Sequence, residues 1–286
     1  MRSPGAGAAD GDQVDPGPGE QASGRPAFAS PVRIAVVDST NRWLRDAALA
    51  GAPHGSAVLA AEQLAGRGRR DRTWIAPPGS SVLCSVLFRS GLDAGTVHLA
   101  PALVGLAALR AVRAVAGVGA ALKWPNDLVV GDAKVGGILS ELVGGPEAVV
   151  VGIGINVAWP PGWPPPGPLR SLVRGATTLE RAAGRPVARH EVEDALLAEV
   201  AGGARDLETA SGRELLAERY RAACSTLGRE VQVQLDGETL TGRAVEIADD
   251  GRLVLELAGV GRRHLDAGDV VHLRRAGAEP APGGGG

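Results

Sequence analysis

The feature that most constrains this chain is the length of its apolar runs. Between positions 32 and 157 they come in strand-sized pieces, at 33–37, 56–62, 82–88, 121–124, 128–130, 134–143 and 147–157. Two stretches break that texture with helical spacing. One covers 41–50, with Ser39 or Thr40 available as a cap and Gly51 as a stop. The other covers 96–116, where Leu99, Leu103, Leu106 and Leu109 recur near the helical period. Gly131-Asp132-Ala133 separates two strand runs and predicts a short hairpin turn. After a proline-rich loop at 160–168, helices are predicted over roughly 178–183, 189–207 and 212–224. Beyond Thr226 only short runs remain, at 230–235, 239–247, 253–257, 262–265 and 269–273, punctuated by Gly and Asp. That rhythm predicts a small antiparallel barrel of about fifty residues.

The flanks read differently. Residues 1–30 are Gly, Pro, Ala and Asp with almost no large apolar side chain, so they cannot offset the entropy of ordering and are expected to be disordered. A regulatory DNA-binding module would need amphipathic helices there, and this composition does not supply them. Residues 276–286, ending in a glycine run, are expected to form a flexible tail. The division predicted is therefore a disordered 1–30, a catalytic unit at 31–225, a barrel at 226–275 and a tail at 276–286.

Composition narrows the function. The formal charge is -2, so no global attraction to nucleic acid or anionic membrane is expected. No run reaches the roughly 20 apolar residues of a membrane span, and no basic–apolar leader opens the chain. Cys84 and Cys224 form no spaced framework and suit a reducing cytoplasm. The five histidines show no metal spacing, so no structural metal is expected. Lysine occurs only at Lys123 and Lys134, and asparagine only at Asn41, Asn126 and Asn156, in a chain otherwise rich in arginine. A lysine retained on such a background marks a place that needs a compact ammonium rather than a planar fork.

Four motifs carry possible chemistry. Gly66-Arg67-Gly68-Arg69-Arg70-Asp71-Arg72 combines close backbone approach with forked cationic donors, which suits an anion. A solvated basic turn and a nucleic-acid contact are the competing readings. Such a loop is expected to be mobile when empty, because like charges repel. Lys123-Trp124-Pro125-Asn126-Asp127 presents an amine, an amide and a carboxylate at a strand end, where nucleotide phosphate and Mg2+ can be held. A plain turn with a structural Trp would look the same. Lys134-Val135-Gly136-Gly137 places an amine beside glycines that admit a ligand or another backbone. Gly152-Ile153-Gly154-Ile155-Asn156-Val157 is strand-like and opens no helix, so it is no dinucleotide fingerprint, and a tightly packed core strand explains it equally well. No P-loop and no Ser/His/Asp or Cys/His arrangement is found.

Together, Asp38-Ser39-Thr40-Asn41, Gln63 with Gly66–Arg70, Lys123–Asp127, Lys134 with Gly137-Ile138-Leu139, and Gly154–Val157 resemble the biotin–protein ligase family, in that family's order. The resemblance implies an α+β fold: a mixed-sheet catalytic domain plus an SH3-like C-terminal β-barrel. It implies that ATP and biotin form biotinyl-5'-AMP, and that biotin then passes to one lysine of a biotin carboxyl carrier protein. It implies that Ser39, Thr40, Asn41, Gln63, Arg67, Gly68, Arg69 and Lys134 contact biotin, with Arg67, Arg69 and Lys134 catalytic. Arg69, Arg70, Arg72, Trp74, Lys123, Asn126, Asp127 and Asn156 would face ATP or the adenylate, and Asp127 would bind Mg2+. The loop departs from the pattern at Asp71, where family loops often carry Gly. A homodimer is expected as an option, and no nucleic-acid or membrane partner. The nearest alternative is a lipoate or octanoate ligase or transferase of similar fold.

Overall fold

In the computed structural model, residues 28, 30–89, 91–145, 148–266 and 268–273 are described. Of the segment expected to be disordered at 1–30, residues 1–27 and 29 lie outside them, as does the tail expected at 276–286; Phe28 departs from that expectation, packing edge-on against His54 and Phe88 at the margin of the main core. The first unit is a seven-stranded sheet in the order β1-β2-β3-β7-β6-β5-β4. Its strands are β1 (Val32–Val37), β2 (Ala57–Gln63), β3 (Ser81–Phe88), β4 (Ala121–Lys123), β5 (Asp127–Val130), β6 (Ala133–Leu142) and β7 (Val149–Asn156). Only β1 and β2 pair in parallel, and helix α1 (Thr40–Leu49) provides the crossover that a parallel pair requires. The other pairs are antiparallel, so the sheet is mixed, as the resemblance implies.

Two-residue alternation divides β3 and β7 between two faces. Val82, Cys84, Val86 and Phe88 on β3, with Val149, Val151, Ile153 and Ile155 on β7, point into the main core. There they meet α2 (Leu99–Ala116), backed by α5 (Arg189–Gly203) and α6 (Ala210–Ala223). α2 is apolar and long enough to cross a membrane by composition, yet 67% of it is buried inside this core. It ends at Gly117, whose φ of 69° is the left-handed conformation that stops helices. It begins three residues later than the spacing predicts. Asp93 and Thr96 instead close a turn on each other, with the Thr96 N–H and hydroxyl both donating to Asp93. On the opposite face α1 covers one end only, where Leu44 and Ala48 pack on Val58, Leu87 and Val150. The rest of that face stays uncovered by helices and carries the candidate site.

Other departures are local. Ser39 occupies the cap position of α1, but its side chain makes no cap hydrogen bond. The helix predicted over 189–207 finishes as a 3-10 turn at Ala204–Leu207, and a short helix α3 (Pro168–Leu172) stands where the proline-rich loop ends. α4 (Leu179–Ala183) is capped by the Thr178 hydroxyl, which accepts from Arg181 N–H.

The second unit is a five-stranded antiparallel sheet, β11-β10-β9-β8-β12, with β8 (Glu230–Gln234), β9 (Thr239–Ile247), β10 (Leu253–Leu257), β11 (Gly261–Leu265) and β12 (Asp269–His272). Val231, Val233, Ala244, Leu253, Leu255 and Leu265 form its core, and Trp124 of the first unit is inserted there too. The Trp124 Nε1 donates to Gly251 O at 3.1 Å, and its backbone N–H donates to Thr226 Oγ1 at 3.1 Å. The residue before Pro125 thus fastens the two units together, and Asn126 and Asp127 follow it directly into the cleft between them.

Candidate active site

The uncovered sheet face has a floor made by register. Gly154 on β7 pairs with Leu83 on one side and Gly137 on the other; Gly152 pairs with Ser85 and Leu139. Glycine at two of these positions is a steric requirement. A Cβ on Gly152 would overlap Asn41 Oδ1, and one on Gly154 would sit 2.5 Å from the Trp74 ring. The space above the floor is a cavity of about 340 Å3, in the range of small-molecule sites.

One end of the floor is a buried polar network. The Thr40 backbone N–H and hydroxyl both donate to Gln63 Oε1, at 2.8 and 2.9 Å. Ser85 Oγ lies 2.8 Å from Thr40 Oγ1 and 2.7 Å from Asn41 Oδ1. Asn41 Nδ2 donates to Leu139 O at 3.1 Å and to Glu141 Oε2 at 2.8 Å. Glu141 Oε1 then accepts from Arg67 at 2.7 Å. Thr40, Asn41 and Ser85 are all under 5% exposed, where an unmet hydrogen bond would cost about 1–3 kcal/mol. The α1 N-terminus, the strand floor and the arginine loop are therefore joined by one continuous chain of partners. Ser39, 2% exposed and free of capping duty, lines the same cavity.

The other end is cationic. Lys134 Nζ lies 2.5 Å from Asp127 Oδ1 and 5.9 Å from the centroid of the Trp74 ring. Its backbone is clamped by hydrogen bonds to Gly175 O and from Thr177 N–H, both 2.8 Å. Lys123 makes no ion pair among the described residues, and burial lowers its amine from the ordinary lysine value, opposed by Asp127. Arg69 likewise makes no ion pair among them. Burial lowers its guanidinium from the ordinary value, and Asp269 counters the fall. Trp74 spans the floor between these groups, and its Nε1 is buried without a hydrogen-bond partner among the described residues.

The 66–72 loop carries more internal contacts than its composition suggests. Gly68 N–H donates to Arg72 O at 2.7 Å, Arg72 N–H to Arg69 O at 3.2 Å, and Trp74 N–H to Gly66 O at 2.9 Å. It separates the 340 Å3 cavity from a second space of about 640 Å3 bounded by His98, Tyr220 and Arg252. The smaller cavity is the stronger candidate, because the glycine floor, the polar network and Lys134 all converge on it.

Every residue that the resemblance assigns to biotin or ATP lines this cavity, though several have duties within the fold. The Asn126 side chain donates to Ile138 O at 2.9 Å and ties the β5 entrance to β6. The Asn156 side chain donates to Thr177 O at 3.1 Å. Arg70 and Arg72, read as adenylate contacts, line the cavity and hold the carboxylates of Asp236 and Asp269 in the second unit. Sequence reasoning missed Ser85, Glu141, Asp236 and Asp269. Ser85 had a visible signal, a hydroxyl in the middle of the otherwise apolar run at 82–88. Asp236 and Asp269 had none, since they approach the loop only through the docking of the second sheet.

The chain is also similar, over most of its length, to known proteins. Residues 33–157 match the biotin/lipoate A/B protein ligase family, and residues 226–273 match the biotin protein ligase C-terminal domain. A biotin–[acetyl-CoA-carboxylase] ligase of Mycobacterium tuberculosis is 35% identical over 248 residues, covering 84% of this chain and 88% of that protein. One from Paracoccus denitrificans is 34% identical over 248 residues, covering 83% and 98%. The solved Aquifex aeolicus biotin protein ligase in complex with biotin and ATP superposes with a TM-score of 0.71 at 26% identity, over 86% of this chain and 100% of that one. Its two units in their order, and relatives matched over nearly their full length, place the chain in the biotin protein ligase family.

Proposed function

We propose that the chain is an ATP-dependent biotin–protein ligase that makes biotinyl-5'-AMP and transfers biotin to a lysine of a biotin carboxyl carrier protein. The observation that carries this reading is a single cavity with the uncharged side chains Ser39, Thr40, Asn41 and Gln63 at one end and the cations Arg69, Lys123 and Lys134 at the other. A fused-ring urea suits the first, and a carboxylate meeting a triphosphate suits the second.

Attack of a carboxylate oxygen on the α-phosphorus brings two anions together, and at low dielectric that approach costs several kcal/mol unless cations lie alongside. Lys134 is well placed to bridge them, because its compact ammonium is fixed at the floor by Asp127 and its clamped backbone. The new acyl–phosphate bond forms as the bond to pyrophosphate breaks, and Arg69 and Lys123 offset the charge that leaves. Trp74 and the loop keep water from the mixed anhydride. The neutral amine of the carrier lysine then attacks the acyl carbon, an amide forms, AMP departs and the amine gives up its proton. No side-chain nucleophile is required.

Magnesium fits this donor set in a limited way. Among the described residues no cluster of three metal-binding side chains exists, but Mg2+ commonly takes one carboxylate and draws its other ligands from phosphates and water. Asp127 is the carboxylate that would hold it, and the ion would screen the triphosphate. Both cysteines are buried free thiols, which suits the cytoplasm. The reading includes no nucleic-acid or membrane partner. It leaves room for a homodimer.

The test is biotin-dependent exchange of labelled pyrophosphate into ATP by the purified chain. Exchange that needs biotin and magnesium supports the assignment, and its absence removes it. Titration calorimetry against biotin and lipoate separates the two substrate classes, with tighter lipoate binding favouring the lipoyl alternative.

A further inference from the structure

We infer that the C-terminal sheet is the anchor of the arginine loop, and that Asp269, assisted by Asp236, is a positioning residue for adenylation acting through Arg72 and Arg70. The inference rests on the proposed reaction but adds a task for the second unit.

The loop is strained where it turns. Arg70 and Asp71 have φ of 53° and 58°, and two successive non-glycine residues in the left-handed region are costly. Such conformations persist only where surrounding contacts over-determine them. The loop's own backbone bonds, Gly68 N–H to Arg72 O and Arg72 N–H to Arg69 O, supply part of that restraint, and the side-chain part comes from the other unit. Arg72 donates to Asp269, Arg70 pairs with Asp236 and lies 3.9 Å from Asp269, and Arg70 also reaches Gln234 O at 3.5 Å. Pairing of β12 with β8 sets Asp269 opposite Gln234, two residues before Asp236, so both acids lie at one corner of the sheet. Asp236 is 94% exposed, and an exposed pair contributes little. Asp269 is 30% exposed and lines the cavity, so it carries most of the effect.

The consequence is a division among the four arginines. Arg70 and Arg72 are turned to the second unit and Arg67 is held by Glu141, while Arg69, between the anchored positions, keeps its donors for the substrate. Detaching the corner would leave Arg69 unplaced without touching any substrate contact directly.

The test compares Asp269→Asn, Asp269→Glu and Asp236→Asn with the wild-type full chain, using Asp266→Asn, in the connection between β11 and β12, as a control. Two readouts are needed. Limited trypsin digestion, scored by mass for cuts between Arg67 and Arg72, reports the loop whether or not the chain has activity. Steady-state biotin-dependent adenylation reports the reaction. Asp269→Asn is expected to be nicked faster in the loop and to raise the KM for ATP roughly tenfold, the weight of one charge-assisted contact, with kcat within about twofold. Asp269→Glu recovers most of this, Asp236→Asn shows a milder version, and Asp266→Asn shows none. Should Asp269→Asn misfold, the exposed Asp236→Asn still decides by its nicking rate. Unchanged nicking, faster nicking with an unchanged KM, or a lowered KM would each overturn the role. If the wild type lacks biotin-dependent exchange while the nicking pattern holds, the reaction is misassigned and the anchor stands.

Discussion

The two faces of the seven-stranded sheet share the same strands yet are built for different ends. On β3 and β7, every second residue is Val, Cys, Ile or Phe and disappears under α2. The intervening residues include Leu83, Gly152, Gly154 and Asn156, which line the candidate site, and Ser85, which supports Thr40 and Asn41 behind it. The difference is one of side-chain volume. The core face is filled to contact, whereas the site face has had volume removed at glycines and polar groups set at its margin. Stability and binding are thus written on alternate residues of one strand, and a substitution's parity should decide which of the two it disturbs.

That comparison can be broken. Lys134→Ala should lower adenylate formation by on the order of a hundred- to a thousandfold, the weight of a group that stabilises transition-state charge, with an unchanged melting transition. Lys134→Arg should fail to restore it, because a planar fork cannot replace a point charge held by Asp127. Loss of cooperative melting in Lys134→Ala would show that the site face also carries the fold. On the opposite face, Leu103→Ala, at a position 1% exposed, should cost about 2–5 kcal/mol in denaturant unfolding and leave substrate affinity of the folded fraction intact.

Smaller effects sharpen the contrast. Gly154→Ala pushes a methyl group into Trp74 and should weaken biotin binding roughly tenfold by calorimetry, with little change in melting temperature. An equal affinity would mean that Trp74 moves aside freely. The smallest effect concerns His272, which burial, together with Lys123 and Arg229, lowers to about 4. Its folded value lies below the ordinary 6.5, so it folds neutral, and stability present above pH 6.5 is lost as the pH falls toward 4. His272→Gln should flatten that part of the stability curve, and an unaltered slope would show that other groups set it.

Much of this was legible in the residues. The strand runs, the long core helix and the change of texture after Thr226 follow from spacing alone, because alternation and helical period are local properties. The site motifs were legible because lysine and asparagine survive in so few places. What escaped was everything set by docking. The roles of Arg70 and Arg72 depend on Asp236 and Asp269, which lie more than 150 positions away and carry no pattern of their own. Asn126 and Asn156, read as facing ATP, line the cavity, but their amides are tied to Ile138 and Thr177, a fact that emerges only when strand register is known.

The location of the two lysines has a practical outcome. Both ε-amines line the cavity, one bound to Asp127 and the other half-buried, so the outer surface of the chain offers no lysine to an acylating agent. On the proposed reaction, adenylate that escapes would find its acceptors on neighbouring proteins and not on the enzyme that made it. Such a catalyst should stay dark on a streptavidin blot while its surroundings are labelled.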